Sequence, residues 1–278
     1  MQNLHLPRHS GLILPAVSLQ RLSITLKEER EDLAQSSLIV VFIFLFGISF
    51  GSFLNVLIYR IPKGMNIVTP PSSCPSCHSR LRWYHNIPLF SWVLLAGKCQ
   101  YCKSPISPVY PFVELSTALL WVTLYLKIGF LWYLPFTLLS FSMLLALSMI
   151  DIKYYAVPDS LNFLALGFAL IGNDFTTRIT DASLAAFGLW VLGFTVSKLA
   201  RKESLGSADI IVAATMAALL GFPGFFVAMF IAALLAIVPS LFAKETMVPF
   251  VPFLALATLI TLLFKESLLQ YLEAIIYA

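Results

Sequence analysis

FLWYLPFTLLSFSMLLALSMI, residues 130–150, runs for 21 positions without a charge and is followed at once by Asp151. A helix rises 1.5 Å per residue, so a stretch of this length matches a hydrocarbon core of about 30 Å. Seven further apolar runs accompany it, at 37–59, 110–128, 157–172, 182–199, 208–224, 225–243 and 250–264. Gly221-Phe222-Pro223-Gly224 divides one long run in two, while Pro249 and Pro252 blur the start of the last. The composition agrees: 59% of the 278 residues are hydrophobic, only 12% are charged, and mean hydropathy is +0.87. Soluble domains carry about 25% charge, so there is too little here to cover a water-soluble globule. The expected fold is an all-α polytopic membrane protein of about eight transmembrane helices. The net charge of +4 forms no basic stripe, and nucleic acid is not an expected partner.

The cations set the orientation, because cytoplasmic loops collect Lys and Arg. If the loop after the first helix is cytoplasmic, that side holds Arg60, Lys63, Arg80, Arg82, Lys98, Lys103, Lys153, Lys198, Arg201, Lys202 and Lys244. The other side holds Lys127, Arg178 and Lys265, plus the four cations of a polar extension at 1–36. Both termini then face outward. The extension has no secretory-signal pattern and is expected to be disordered.

All four cysteines fall in the first polar loop, as Cys74-Pro75-Ser76-Cys77 and Cys99-Gln100-Tyr101-Cys102, with His78 to Lys98 between the pairs. Two C-x-x-C hooks at this separation are the pattern of a Cys₄ zinc site, each turn directing two thiolates at one tetrahedral ion. Arg80, Arg82, Lys98 and Lys103 would offset the charge of the thiolates. The competing reading, two disulfides, is disfavoured in a reducing compartment. A closed Cys₄ site keeps no open position, so this metal is structural, with His78 and His85 as bystanders.

A carboxylate in or beside a span is costly and marks a functional candidate. Asp174 and Asp181 read as loop or capping residues, Asp159 after Pro158 as a helix-start residue, and Glu114 as a helix-dipole partner, the last two with a possible secondary role in the site. Asp151 and Asp209 differ. Both fall at the cytoplasmic ends of their helices, 58 positions apart in sequence. Two packed helices could bring them together as a pair sharing one proton, able to activate water against a peptide carbonyl and to protonate the departing nitrogen. Gly206, Ser207 and Ala208 beside Asp209 would admit a substrate backbone. An ion-coupled transporter with a carboxylate relay explains the acids equally, though not the cysteine loop. A non-enzymatic assembly scaffold organised by that loop is a third reading. No H-E-x-x-H, G-x-S-x-G or G-x-G-x-x-G occurs, and all four histidines lie in the extension or the cysteine loop.

With these residues in view, the chain resembles the type IV prepilin leader peptidases, membrane aspartic proteases of the G-x-G-D kind. The resemblance runs from Gly51-Ser52-Phe53-Leu54-Asn55-Val56-Leu57-Ile58-Tyr59-Arg60-Ile61-Pro62 through both cysteine hooks. It continues through Asn86–Trp92, Gly97-Lys98-Cys99 and Ile106–Leu115, to Ile150-Asp151-Ile152, Val157-Pro158-Asp159 and Gly206-Ser207-Ala208-Asp209. It implies a bacterial inner-membrane enzyme that removes the leader of type IV prepilins or type II secretion pseudopilins on the cytoplasmic side. By the same resemblance it then methylates the new N-terminus with S-adenosylmethionine. Asp151 and Asp209 would be catalytic, and Gly97 and Lys98 would belong with methyl transfer. Ala208 replaces the second Gly of G-x-G-D, and Ile211 stands where a lysine is common. The substrate would lay its own hydrophobic N-terminal helix against the bundle, among the membrane lipids.

The organisation expected is therefore an extension at 1–36, a first membrane helix at 37–59, a cytoplasmic Cys₄ loop at 60–109 tied to methyl transfer, and a peptidase bundle at 110–278. Gly47-x-x-x-Gly51 in the first helix predicts a close helix contact.

Overall fold

The computed structural model describes residues 16–69, 71–200, 206–242 and 248–276. Residues 1–15, together with Arg201, Lys202 and Lys244 of the charge count, lie outside them. The chain divides into residues 1–42 and 43–278. The first unit contributes the beginning of helix α1 (Ala16–Arg60); the rest of α1 and every later element belong to the second. The extension expected to be disordered is helical from Ala16 onward. Residues 16–34 contain neither Gly nor Pro and are rich in Leu, Lys, Arg and Glu, which favour helix over coil.

Every apolar run becomes a helix, and no strand occurs among the described residues. After α1 come a five-residue helix α2 (Phe90–Leu94) in the cysteine loop, α3 (Val109–Ile128), α4 (Leu134–Tyr154) and α5 (Asp159–Leu170). Then follow α6 (Phe175–Ala200), α7 (Ser207–Leu220), α8 (Gly224–Phe242) and α9 (Val251–Ile276). Six of these are long and apolar enough to cross a membrane, whereas α5 and α7 are shorter. At 14 residues α7 is about 21 Å long, less than a hydrocarbon core. It tolerates this because its neighbours enclose it: Val212 to Leu220 are all buried. Ala213, Ala214, Ala217 and Ala218 let those neighbours approach closely. Helices α4, α5, α7 and α9 form the centre, with α6 against α7 and α8 against α9.

Lipid offers no hydrophobic gain for packing one apolar helix on another, so polar contacts and close approach decide who sits beside whom. Individual hydrogen bonds join the helix pairs. Ser140 Oγ donates to Ala165 O at 2.8 Å between α4 and α5, and Trp121 Nε1 to Ser142 Oγ at 2.9 Å between α3 and α4. Asn55 Nδ2 reaches Tyr110 O at 3.0 Å between α1 and α3. At one end of the bundle Lys265 Nζ donates to Leu220 O at 2.7 Å, Arg178 Nη1 to Ala169 O at 2.6 Å, and Lys127 pairs with Glu266 at 3.6 Å. These are the three cations assigned to the outer side by charge counting, and they gather at the end opposite Asp151. Asp174 precedes α6 and accepts the Thr177 N–H at 3.2 Å, as a capping residue does. Asp181 lies inside α6 rather than in a loop.

The contact expected of Gly47 and Gly51 is present. A Cβ at Gly47 would stand 2.7 Å from the Ala118 Cα, and one at Gly51 would stand 2.6 Å from the Glu114 Cα. Both obstacles are backbone and cannot yield. Gly51→Val should therefore separate α1 from α3 and cost about 1–3 kcal/mol of overpacking, read as a lower thermal unfolding midpoint in detergent; an unchanged midpoint would contradict the close approach.

Candidate functional site

Asp151 lies in the last turn of α4, whose hydrogen-bonded end is fixed by Tyr155 in the left-handed region (φ 50°) with its N–H on Asp151 O at 2.9 Å. The carboxylate is buried, 7% exposed, so its oxygens need partners inside the protein. Oδ2 accepts the backbone N–H of Val251 at 3.1 Å, the first residue of α9. A helix N-terminus presents unsatisfied N–H groups and the positive end of the helix dipole. The start of α9 thus answers the acid on α4. Pro249 and Pro252, which obscured the start of this helix in the sequence, flank it. The proline at the second helical position was the legible sign of an N-terminus there.

Asp209 lies in the first turn of α7, after Gly206 at the N-cap, and its backbone N–H bonds Gly206 O at 3.1 Å. The charge of Asp151 acts on the Asp209 carboxylate, so the two acids predicted to meet across separate helices are within electrostatic reach of each other. Gly206 has an ordinary extended backbone (φ −71°, ψ 141°), and its lack of a side chain serves another purpose. A Cβ there would stand 3.3 Å from Asp209 Oδ2. Glycine keeps space for the carboxylate itself. Ser207 opens α7 and is exposed, and Ala208 is half-buried.

Asn162 escaped the sequence reading. It sits on α5, fully buried, and its Nδ2 donates to Ala208 O at 2.9 Å, the peptide that leads into Asp209. Its Oδ1 has no partner among the described residues. An amide three residues after Asp159 on an otherwise apolar helix was the available signal. Asp159 itself is exposed as the first residue of α5, with Pro158 at the N-cap position, so it faces the helix dipole rather than capping the helix.

Glu114 is not at the helix opening as expected but five residues into α3, and it is buried. Oε2 accepts the Leu89 backbone N–H at 2.8 Å, and the Ser52 side chain of α1 also bonds this carboxylate. It latches the cysteine loop to α1 and α3.

The cysteines form one cluster, with all four sulfurs within 4.8 Å of one another and none in a disulfide. Cys74 Sγ and Cys102 Sγ are 3.8 Å apart. A tetrahedral ion with metal–sulfur bonds of about 2.3 Å requires sulfurs about 3.8 Å apart, so the cluster is compatible with a metal site. The hooks are copies of each other, with Cys99 in the second standing where Cys74 stands in the first. Cys74 N–H bonds Ser79 O at 3.1 Å as Cys99 N–H bonds Ser104 O at 2.8 Å; His78 and Lys103 both turn with positive φ. The bridge Ser73–Arg80 is matched by Lys98–Pro105. In sequence only C-x-x-C-x-S is shared, which is why the repeat is faint. The Cys77 N–H directed at its sulfur pulls the Cys74 thiol down to about 6 and favours the thiolate that binds metal. Gly97 adopts φ +66°, and a Cβ there would press the Trp92 ring at 3.0 Å. It shapes the second hook, and the exposed Lys98 follows it.

A bundle with two acids at one end, and a paired-hook loop before it, defines a class of membrane protein that the comparisons identify. A family model for the bacterial peptidase A24 N-terminal domain matches residues 45–128, and one for the type IV leader peptidase family matches residues 138–241. The prepilin leader peptidase/N-methyltransferase of Pseudomonas aeruginosa is 33% identical over 266 residues, which are 82% of this chain and 92% of that protein. Its namesake from Xanthomonas campestris pv. campestris is 32% identical over 247 residues, 76% of this chain and 86% of the relative. For that of Myxococcus xanthus the figures are 36% over 189 residues, with 66% of this chain matched but only 56% of the relative's length. No solved structure matches. The chain belongs to the type IV leader peptidase family, and it is a multi-pass inner-membrane protein.

This geometry has two checkable consequences. Cys74→Ser should empty the metal site, read by elemental analysis of purified protein, and retained metal at wild-type stoichiometry would contradict a four-sulfur centre. Asn162→Ala leaves the Ala208 carbonyl unpaired in apolar surroundings and should cost about 1–3 kcal/mol in thermal unfolding; an unshifted midpoint would mean that the bond to Ala208 contributes nothing.

Proposed function

We propose that this chain removes the leader peptide of type IV prepilins or type II secretion pseudopilins at the cytoplasmic membrane face, with Asp151 and Asp209 as its catalytic pair, and methylates the N-terminus so exposed. The observation that carries the reading is that α4 ends and α7 begins at the same end of the bundle, both packed on α5 and α9, which puts the two acids within electrostatic reach of each other. The family match supplies the reaction class. Orientation rests on the excess of Lys and Arg in the loops at that end.

In low dielectric two adjacent carboxylates hold one proton between them. The ionised member takes a proton from water as the oxygen attacks the scissile carbonyl. The protonated member hydrogen-bonds the carbonyl oxygen, and the amide nitrogen is protonated as the bond breaks. The Val251 N–H on Asp151 holds that carboxylate in one orientation. Gly206 leaves Asp209 room to turn, and Asn162 fixes the peptide from which Asp209 projects. The prepilin brings its own apolar helix, which would lie against the bundle in place of lipid.

Zinc is the metal that suits four thiolates in a tetrahedron, held by Cys74, Cys77, Cys99 and Cys102. Bound there it would cross-link the two hooks, with no open position for chemistry. S-adenosylmethionine, when bound, would provide the electrophilic methyl group for the new amine. Gly97 is closed by the Trp92 ring and offers that cofactor no cradle, so no step of methyl transfer is assigned to it.

The transporter reading has no observation of its own in the structure. Asp151→Asn and Asp209→Asn should each abolish cleavage of a co-purified prepilin, by a factor of at least about 10³, in a gel-shift or mass-spectrometric assay. Gly206→Ala should retain folding and metal yet cleave more slowly. Full cleavage by either Asn variant would overturn the assignment of the pair.

A further inference from the structure

Three observations outside the acid pair converge on the short helix α2. From Ile61 to Val113 the chain contains Lys63, Arg80, Arg82, Lys98 and Lys103 and no Asp or Glu. Four thiolates around a divalent ion carry a net charge of −2, so the segment stays cationic with its metal in place. One face of α2 carries Phe90, Val93 and Leu94 at helical spacing, 63%, 68% and 82% exposed, and Trp83 just upstream is 78% exposed. The protein itself leaves this apolar surface uncovered.

The third observation says what covers it. Helix α3 has 20 residues, about 30 Å, the thickness of the hydrocarbon core, so its ends lie near the two boundaries. Glu114 is five residues in from Val109, about 7 Å below the boundary. The Leu89 N–H that donates to its carboxylate immediately precedes α2. The Glu114 side chain tilts back toward the N-terminus of α3, so its bond holds the start of α2 at about the level of that boundary. Trp92 Nε1, bonded to Ile106 O at 3.2 Å, ties the same turn to the segment returning to that helix.

We propose that α2 and its flanks form an interfacial lipid-binding surface, with Phe90, Val93 and Leu94 among the upper acyl chains and the loop's Arg and Lys side chains on anionic phospholipid headgroups. An apolar helical face at the headgroup–acyl boundary, with cations reaching the phosphates, is how peripheral helices bind anionic membranes. The Cys₄ module is then held flat on the membrane surface instead of standing off into water. This inference needs only that α3 spans the bilayer, and it is independent of the roles given to Asp151 and Asp209.

The test uses full-length protein in nanodiscs of equal phosphatidylcholine and phosphatidylglycerol, with a benzophenone amino acid in place of Phe90, Leu94 or, as a control on an exposed hook residue, Ser76. Metal content equal to the unmodified protein identifies variants with a folded loop, and either α2 position suffices. Lipid adducts at Phe90 or Leu94, counted by mass spectrometry after illumination, should exceed those at Ser76 at least fivefold. They should also favour phosphatidylglycerol at least twofold over phosphatidylcholine. Yields no higher than at Ser76, or cross-links to a second protein copy in place of lipid, would overturn the surface. Equal capture of the two lipids would overturn its preference for anionic headgroups.

Discussion

Asp151 must be satisfied where water is scarce, and the arrangement around it follows from that need. A buried carboxylate without partners is expensive, and the least costly supply of donors in an apolar bundle is the start of another helix, where N–H groups have no partner within the helix. The Val251 N–H supplies this, which commits α9 to begin beside the end of α4. Since α5 and α9 each pack on both α4 and α7, the same placement sets where α7 begins relative to the end of α4, and with it where the two acids stand. The acid pair is thus a property of four helices rather than of one motif.

The same economy recurs elsewhere in the bundle. Asn162 gives the Ala208 carbonyl its donor, Lys265 gives one to Leu220, and Glu114 takes the Leu89 N–H. Each bond joins different elements and carries information about register that apolar packing alone lacks, because Leu on Leu is nearly indifferent to a shift along the helix. Interhelical bonds of this kind contribute modestly one by one. Their value here is specificity: a displaced helix would leave several polar groups unpaired at once.

This explains which parts of the structure were legible in the sequence. Long apolar runs announce helices, so every run was found to be one, and charged residues excluded from lipid announced Asp151 and Asp209. The limits of the runs were less visible. The helix before Leu38 gives no hydropathy signal because Lys, Arg, Glu and Asp are interleaved with its apolar residues. Asn162 and Val251 were missed for a different reason. Asn162 is one polar residue on an apolar helix, and Val251 acts through its backbone, to which side-chain chemistry gives no clue. Gly206 has a second role that the sequence does not show: the nearest atom to a hypothetical Cβ is the oxygen of Asp209.

The cysteine loop shows how a small module can belong to a membrane protein without a core of its own. Its two hooks fold by local backbone bonds that repeat from one hook to the other, and among its buried side chains are two of the cysteines. Little apolar area is enclosed, and Phe90, Val93 and Leu94 are left outside. Such a loop would be marginal in water, since conformational entropy is lost with little burial in return. Two external supports compensate. One would be a metal ion held between the hooks by the four cysteines; the other is Glu114, which anchors the intervening stretch of chain to α3. Without such an ion the hooks would loosen from each other while Leu89 remains tethered. Losing the Glu114 carboxylate frees the loop from the bundle while the hooks stay joined. The module is therefore held at two separable points, and its position on the bundle depends on the second rather than the first.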